Sequence, residues 1–382
     1  MPTRQQCTLG AFGILSLALL LAQTFGPGRS SAAEDPSKLD WPVFRGNAEQ
    51  TGVAAVTLPD QLDVLWTFPT KDSIEGAAAI AGGVVYVGSF DEHLYAIDLA
   101  TGKEKWKCKA GPIKASPAVR RGAVYVGNSD GDFHCVDAAK GEKRWSFKTD
   151  GEIVSGANFS GDLVLFGSYD ETLYCLTADG KVKWKFKTQG PVNGSPTVAA
   201  GKTFVAGCDS SLHVLDIATG KEDRAVDLGA QSGATGAVMG DLLYVGTMTN
   251  QFEAIDWKKG AVAWTFQPEE RAQPFYSSAA LTDPILVVGS RDKRLHALER
   301  KTGKEVWNFA TDGRVDASPV IVGKRVYAPS QDGNLYVLVL VNGNQIAKYK
   351  LDGPVTASPA VAAGRLVLGT NKGTLYCFGA KK

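Results

Sequence analysis

The side chains with the most reactive chemistry in this chain are histidines, cysteines and aspartates. Histidine and cysteine are common metal ligands, and a histidine beside an aspartate can act as a general base. Four histidines occur, His93, His134, His213 and His296. The sequence has no zinc-ligand spacing, no glycine-rich phosphate loop and no nucleophile elbow. What these residues can do therefore depends on the elements that position them.

A repeat runs through most of the chain. Tryptophan recurs at positions 66, 106, 145 and 184, with spacings of 40, 39 and 39 residues, and again at 264 and 307. Arg224 and Ala347 occupy the other two positions of the series. A small-Ser-Pro phrase, as at Ala115-Ser116-Pro117, and a Val-Tyr-Val-Gly phrase recur with the same period. Self-similarity of this kind predicts a repeat architecture.

Each repeat contains four short β-type runs separated by Asp- and Gly-rich turns, and none is long enough for a helix. We label the runs A (Ser-Pro phrase), B (Val-Tyr-Val-Gly), C (Leu-Tyr or Leu-His) and D (Trp). Eight A–B–C units occur, while the first D run, around Trp66, precedes them all and the last unit ends at Phe378 without one. We therefore predict an all-β fold, an eight-bladed β-propeller of four-stranded antiparallel blades over residues 62–379. The N-terminal D strand should pair with the C-terminal blade and close the ring.

The repeat also explains the reactive side chains. His134, His213 and His296 fall at the same position of different blades, which lie far apart, so we expect no metal site. The recurring Asp of the B–C connection is typical of a turn residue. Equivalent positions in neighbouring blades exceed the roughly 7 Å that a disulfide spans. We therefore expect free thiols at Cys108, Cys135, Cys175, Cys208 and Cys377.

The first residues have the pattern of a signal peptide. Arg4 precedes an apolar run from Leu9 to Ala22, and small residues follow before Glu34. We predict a signal peptide over 1–33 with cleavage near Ala33, because the run is shorter than the roughly 20 residues of a membrane span. Cleavage would remove Arg4 and Arg29 and would leave 39 of the 41 basic residues, against 40 acidic residues. This balance argues against a nucleic-acid partner, and we expect a periplasmic or secreted protein without a membrane span.

One phrase of the repeat resembles a known family. Residues 96–106, Ala-Ile-Asp-Leu-Ala-Thr-Gly-Lys-Glu-Lys-Trp, are similar to the Ala-x-Asp-x-x-Thr-Gly-Lys-x-x-Trp signature of quinoprotein (pyrroloquinoline-quinone, PQQ) propeller repeats. The resemblance covers about residues 62–379, and it includes the BamB-like propellers of outer-membrane assembly. It implies that the strand-D tryptophan docks flat on the adjoining blade, with weaker docking at Arg224 and Ala347. The docking residues would be Trp66, Trp106, Trp145, Trp184, Trp264 and Trp307. Residues 41–47, Trp-Pro-Val-Phe-Arg-Gly-Asn, also resemble the opening of exported bacterial PQQ-like repeat proteins, and we expect this lead segment, residues 34–61, to lie over one face of the ring.

The family contains both enzymes and scaffolds. The resemblance to dehydrogenases implies a disulfide between adjacent cysteines, a Ca²⁺ site, an Asp base and long insertions. This chain has no Cys-Cys pair, and its repeat spacings of 39 to 43 residues leave no room for insertions. We therefore expect a monomeric, non-catalytic exported scaffold, without cofactor, that binds a protein or a cell-envelope partner. The alternative is a propeller that binds PQQ or another small molecule in its central channel.

Strand A lines the channel in propellers of this kind, and the residue before the small-Ser pair lies near the channel mouth. That position varies from blade to blade while its frame repeats, as a binding surface requires. Drift at a solvent-facing position is the alternative explanation. The candidate binding residues are Glu75, Lys114, Asn193, Tyr276, Asp316 and Thr356, together with Arg314 two residues before Asp316.

Overall fold

The computed structural model describes residues 40–381, so the predicted signal peptide lies outside the described residues. Within this range the chain forms 33 β-strands and no helix. The strands make eight antiparallel four-stranded sheets, one of which carries an additional short parallel strand. The innermost strands of successive sheets approach one another, and that of the first sheet also meets that of the last. The prediction of an eight-bladed β-propeller is confirmed.

Two strands, β1 (Val53–Ala54) and β2 (Asp63–Pro69), precede the first complete blade. Blades 1 to 4 consist of β3 (Ala79–Ala81), β4 (Val84–Gly88), β5 (His93–Asp98) and β6 (Glu104–Lys109); β7 (Ala118–Arg120), β8 (Ala123–Gly127), β9 (Asp132–Asp137) and β10 (Lys143–Lys148); β11 (Asn158–Ser160), β12 (Leu163–Ser168), β13 (Thr172–Leu176) and β14 (Val182–Lys187); and β15 (Thr197–Ala199), β16 (Lys202–Ala206), β17 (Ser211–Asp216) and β18 (Glu222–Asp227).

Blades 5 to 8 continue the same order from the channel outward. They consist of β19 (Ala237–Met239), β20 (Leu242–Gly246), β21 (Phe252–Asp256) and β22 (Ala261–Phe266); β23 (Ala280–Leu281), β24 (Ile285–Gly289), β25 (Arg294–Glu299) and β26 (Glu305–Ala310); β27 (Val320–Val322), β28 (Arg325–Ser330), β29 (Asn334–Val339) and β30 (Gln345–Lys350); and β31 (Ala360–Ala362), β32 (Arg365–Gly369) and β33 (Thr374–Gly379), with β2 as the fourth strand of blade 8.

The two ends of the chain share blade 8. Strand β2 pairs antiparallel with β33, and Trp66 lies opposite Cys377. Without this pairing, β33 would present an unpaired edge and β2 would have no sheet to join. The prediction that the N-terminal D strand closes the ring is confirmed, and a separation of the ends would have to break this whole ladder.

A tryptophan of strand D connects each of six blades to the next one. Its indole lies over a glycine in the C–D turn of the next blade, and its N–H donates to a carbonyl of that turn at 2.8–3.1 Å. The pairs are Trp66 with Gly102, Trp106 with Gly141, Trp145 with Gly180, Trp184 with Gly220, Trp264 with Gly303 and Trp307 with Gly343. The six sequence-designated tryptophans therefore all contact the adjoining blade.

The two departures from the tryptophan series have different causes. Ala347, in blade 7, faces blade 8, whose strands C and D come from opposite ends of the chain and therefore have no C–D turn. Arg224, in blade 4, extends over Gly260 of blade 5 instead of an indole. At that contact the tryptophan comes from blade 5, because buried Trp257 lies edge-on against Phe204 of blade 4, with ring centroids 5.2 Å apart.

The lead segment lies along the inner edges of the blades. In six blades the innermost strand donates a backbone N–H to a carbonyl of residues 41–52, at 2.7–3.0 Å. The donors are Ile80, Val119, Val198, Val238, Leu281 and Ile321. Strand β1 then pairs in parallel with β27. Because each innermost strand has an open edge, the segment satisfies backbone groups that the blades leave unpaired, and it closes one end of the channel.

The contact between Trp66 and Gly102 at the closure can be tested with a matched pair of glycines. Gly102 and Gly161 both have a positive φ, of 73° and 59°, but a Cβ at Gly102 would lie 2.6 Å from the Trp66 indole and one at Gly161 would meet nothing within 4 Å. Gly161→Ala should lower the free energy of unfolding by about 1 kcal/mol, and Gly102→Ala by about 2 kcal/mol more. Urea denaturation measures both. Equal losses would show that the indole does not constrain this turn.

Candidate functional site

A cavity of about 670 Å³ occupies the channel. It is closed at one end by the lead segment, from which Phe44 contributes to the lining. The volume is within the range of ligand pockets in proteins. Six of the seven sequence-designated residues line it: Glu75, Lys114, Asn193, Tyr276, Asp316 and Thr356.

Arg314, the seventh candidate, is not among the residues that line the cavity. Its backbone carbonyl accepts the N–H of Gln331 at 2.9 Å, a bond that equivalent residues make in every blade, as Pro274 does with Arg291. The position two residues before the channel residue therefore joins strand A to the B–C turn.

A second set of lining residues was not recognised in the sequence. It lies in the B–C turns, just after the small residue that follows strand B, and consists of Tyr169, Cys208, Met248, Arg291 and Gln331. This position also varies between blades while Gly, Ser and Asp recur around it. The same criterion that identified the strand-A residues would have found this set. It was overlooked because the turn was interpreted only through its aspartate.

The wall formed by blades 5 to 7 is held by a chain of side-chain contacts. The Arg291 guanidinium stacks 3.7 Å from the ring centroid of Tyr276, and Tyr276 lies over Gly233. Arg291 donates two hydrogen bonds to Asp316, with Nε–Oδ1 and Nη2–Oδ2 both at 3.0 Å, and the Gln331 amide donates to the same carboxylate at 2.8 Å. Burial lowers the pKa of Arg291, but its bonds and charge interaction with Asp316 raise it by more. This wall is rigid and electrically neutral.

The opposite side of the cavity is more loosely organised. Lys114 Nζ lies 3.7 Å from Glu75 Oε2, and half of the Lys114 side chain is exposed. Tyr169 is 38% exposed, and its hydroxyl has no partner in the described part of the chain. In blade 4, Asn193 Nδ2 lies 2.9 Å from Cys208 Sγ. The cavity thus has one wall fixed by ion pairing and another that presents an exposed aromatic face.

The Ser of the small-Ser-Pro phrase has a structural role that the sequence did not reveal. Its hydroxyl accepts the backbone N–H of the equivalent residue in the preceding blade, at 2.9–3.0 Å. We call these hydroxyls the hydroxyl belt: Ser116, Ser195, Thr235, Ser278, Ser318 and Ser358. The belt is interrupted at Ala77 and Gly156, which have no hydroxyl. It forms part of the cavity lining and ties neighbouring blades together.

The histidines and turn aspartates lie away from this cavity and bond to each other. His213 contacts Asp209 and Glu222 at 2.7 and 2.5 Å, and His296 contacts Asp292 and Glu305 at 2.9 and 2.7 Å. Burial lowers the pKa of His213 and His296, but the paired carboxylates raise it by more. In blades 1, 3 and 7 a tyrosine hydroxyl donates to the same turn Asp at 2.6–2.8 Å. These residues therefore fasten strand C to its turn.

The remaining histidines and the cysteines show no shared site. His134 is buried beside Ser146, and burial with nearby Lys143 lowers its pKa to about 4. His93 contacts the backbone of Asp91. The five described cysteines, Cys108, Cys135, Cys175, Cys208 and Cys377, form no disulfide with one another.

Blade 5 places a carboxylate where the other blades have Tyr or His. Glu253 is 5% exposed, and its Oε2 has no hydrogen-bond partner among residues 40–381. Burial, followed by the charge of Asp227, raises its pKa to about 7. The B–C turn of this blade carries Thr249 in place of the usual Asp. No hydrogen-bond donor among the described residues faces Glu253 Oε2. Ionisation of Glu253 therefore destabilises the folded state.

The cavity residues can be compared with what a PQQ and Ca²⁺ site would need. Both oxygens of Asp316 already bond to Arg291 and Gln331, and Glu75 faces Lys114. Cys208 is the one cysteine in the lining, so an adjacent-cysteine disulfide has no counterpart. Among the described residues, no group of three His, Cys, Asp or Glu side chains could hold a metal ion. The residues present do not fit this cofactor.

Comparison with known proteins gives a consistent result. The profile of a family described as outer membrane protein assembly factor BamB matches residues 51–158, 134–223 and 223–382. No curated protein sequence matches the chain. In the part of the chain that the structure describes, no helix has the length and hydropathy to cross a membrane.

Solved structures with the same fold include both non-enzymes and enzymes. BamB from Moraxella catarrhalis is 18% identical, with a TM-score of 0.72 over 84% of this chain and 100% of that one. Quinohemoprotein alcohol dehydrogenase from Comamonas testosteroni is 14% identical, with a TM-score of 0.80 over 92% of this chain and 82% of that one. The computationally designed Ika8 protein is 17% identical, with a TM-score of 0.73 over 86% and 99%. These likenesses establish the fold.

The two carboxylate-flanked histidines predict a pH dependence. Because their folded pKa values are raised, their stabilisation is fully present below the unfolded value of about 6.5 and is lost as pH rises through the folded value. We expect the free energy of unfolding of the wild type to fall between about pH 6 and 9. In the double variant His213→Tyr/His296→Tyr this fall should be smaller by about 1–2 kcal/mol. Urea titrations measure this, with His93→Gln as the control. If the free energy of unfolding fell as steeply with pH in the double variant as in the wild type, the stabilising role of the two histidines would be contradicted.

The burial of Glu253 predicts a second loss of stability as pH rises. Since burial raises its pKa, the folded state is increasingly penalised as pH rises from about 4.5 to 7. Glu253→Gln should therefore raise the free energy of unfolding at pH 8 by about 1–3 kcal/mol and have little effect at pH 4. Denaturation at the two pH values gives the comparison. A gain of equal size at both would point to packing rather than ionisation.

Proposed function

This chain belongs to the family of the outer membrane protein assembly factor BamB, and from that premise we propose that it is an exported, non-catalytic scaffold that binds a protein partner of the cell envelope. The observation that carries the proposal is the combination of a rigid repeated frame with residues that differ from blade to blade around one channel mouth. Rigid scaffolds with individually varied positions suit specific binding, because few of their groups lose conformational freedom when the complex forms.

The proposal that the scaffold is non-catalytic is supported by the state of the cavity carboxylates. A catalytic base must be free to reach the proton that it removes. Asp316 is instead held by Arg291 and Gln331, and Glu75 lies beside Lys114. Neither carboxylate is isolated in an apolar environment that would prepare it for proton transfer.

Export is supported by the sequence of residues 1–33, which has the order of a signal peptide. The BamB family is defined by a role in outer-membrane protein assembly. We therefore place the chain in the periplasm, with a partner among the proteins that assemble or maintain the outer membrane. The near-neutral charge balance of residues 34–382 fits contacts that depend on shape and individual hydrogen bonds more than on long-range attraction.

A second candidate function is the binding of a small molecule in the channel, with or without a protein partner. The specific observation in its favour is the cavity of about 670 Å³, whose lining combines fixed polar groups with Tyr169 and Met248. Pockets that combine apolar lining with a few fixed polar groups are typical of ligand sites.

Protein capture with a mouth variant tests the proposed function. Immobilised wild type should retain specific envelope proteins, and Glu75→Gln/Lys114→Gln should reduce their recovery at least about fivefold, because paired charges at an interface set specificity. The matched control, Glu104→Gln/Lys105→Gln, changes the same residue types on the outer strand of blade 1, the blade that contributes Glu75. Equal recovery with all three proteins would refute binding at the mouth.

Calorimetric titration with PQQ and Ca²⁺ tests the non-catalytic assignment. We expect no saturable heat, since the carboxylates and cysteines do not fit the cofactor. Stoichiometric binding followed by alcohol-dependent dye reduction would overturn the proposal and would establish a quinoprotein.

A further inference from the structure

The floor of the cavity carries hydrogen-bond donors that no protein group uses. Each hydroxyl oxygen of the belt accepts a backbone N–H from the preceding blade, and none of these O–H groups donates to another of residues 40–381. The belt residues are only 3–8% exposed, yet they line the cavity. Because these six hydroxyls line one cavity, a ligand that brings acceptor atoms can receive hydrogen bonds from them.

A positive charge lies directly behind this floor. Arg45 of the lead segment is 1% exposed, and it donates to the carbonyls of Pro319 at 2.6 Å and Ala279 at 2.8 Å. These carbonyls follow Ser318 and Ser278 of the belt in the sequence. The guanidinium has no carboxylate partner in the described chain, and its Nε has no acceptor there. Burial lowers its pKa to about 9, which still leaves it cationic at neutral pH.

The other charges of the cavity do not compensate Arg45. Arg291 and Asp316 neutralise each other, and Lys114 and Glu75 do the same. The floor therefore remains positive and rich in donors while the walls are neutral. A buried cation without a counter-charge is unfavourable, so an anion on the floor would gain from both the charge and the hydroxyls.

Above the floor, blades 3 and 5 contribute apolar side chains to the lining. These are Val154, Tyr169 and Met248, and the Tyr169 ring makes no aromatic contact within the described residues. An apolar group held against them would remove both surfaces from water. The cavity thus combines an anion-favouring end with an adjacent apolar side.

We propose that the channel cavity binds a ligand with a single carboxylate next to an apolar group, with the carboxylate on the hydroxyl belt above Arg45 and the apolar group against Tyr169 and Met248. Two sources have this chemistry, the C-terminus of a polypeptide and a free organic acid. The inference goes beyond the protein-binding role, because a ligand on the floor is separate from a partner at the mouth.

Calorimetry of the full chain with three probes tests this proposal. N-acetyl-Gly-Gly-Leu with a free carboxylate should bind at least about tenfold more tightly than its C-terminal amide, since hydrogen bonds to a charged acceptor are the stronger ones. If 4-methylpentanoate binds as well as the peptide acid, the ligand is a free acid; if only the peptide acid binds, the ligand is a chain terminus. Equal binding of acid and amide, no binding of either acid at about 1 mM, or tighter binding of PQQ would overturn the proposal.

Belt variants locate the carboxylate. Ser278→Ala/Ser318→Ala should weaken the acid probe at least about tenfold and leave the amide unchanged, because only the carboxylate uses the hydroxyls. Ser155→Ala is the matched control, since its hydroxyl bonds to Gly167 and does not line the cavity. Interruptions at Ala77 and Gly156 indicate that the ring tolerates a missing hydroxyl, and Ser358→Ala replaces the double variant if that one does not fold. Unchanged acid affinity in a folded belt variant would refute the proposal.

Failure of these titrations would leave the protein-capture experiment valid. The capture experiment detects envelope proteins that bind at Glu75 and Lys114, whereas the calorimetric probes report binding at the floor of the cavity. Conversely, carboxylate binding with no captured protein would support the floor site and reject the scaffold role.

Discussion

The contact between neighbouring blades is the constraint on which the rest of this molecule depends. A blade of four short strands cannot bury both of its faces alone, so each sheet must be held flat against the next one at a fixed distance from the axis. Two devices do this at different radii. Indole rings over turn glycines act at the rim, as Trp106 does over Gly141, and the hydroxyl belt acts at the channel. Because at least one of the two spans each seam, side chains at the mouth can vary without moving the frame.

The same constraint explains where the repeat is irregular. The seam between blades 7 and 8 has no tryptophan because the chain ends at blade 8 and leaves no C–D turn to receive one. There the belt bond from the Ser318 N–H to Ser358 and the contact of the Tyr349 ring with Phe378, at 5.7 Å between centroids, supply the connection instead. Between blades 4 and 5 the aromatic ring has changed sides, from position 224 to Trp257. An interblade contact can therefore be preserved by different residues, provided that the gap between sheets is filled.

The sequence predicted the ring, its closure and most of the cavity wall because those features repeat and a periodic signal accumulates over eight copies. It could not predict features that occur once. The path of the lead segment inside the ring depends on backbone bonds to Val119 and Leu281, which any residue type could make. The burial of Arg45 depends on where that path runs, and a lone arginine before Gly46 carries no sign of it. The bond at Arg314 was also hidden, because its repeat position uses the backbone carbonyl, which composition does not reveal.

Charge placement follows a consistent logic once the lead segment is included. At the mouth, where water is available, charges occur as partners in neighbouring blades, as with Lys114 and Glu75. In the interior, Asp292 and Glu305 flank His296 and raise its pKa, whereas among the described residues Glu253 and Arg45 have no opposite charge beside them. Glu253 can relieve its burial by taking up a proton near neutral pH, but an arginine cannot easily lose one. Arg45 is thus the interior group whose charge persists, and a frame this rigid cannot rearrange to meet it. The proposed carboxylate on the hydroxyl belt would bring the opposite charge that the described residues do not place beside Arg45.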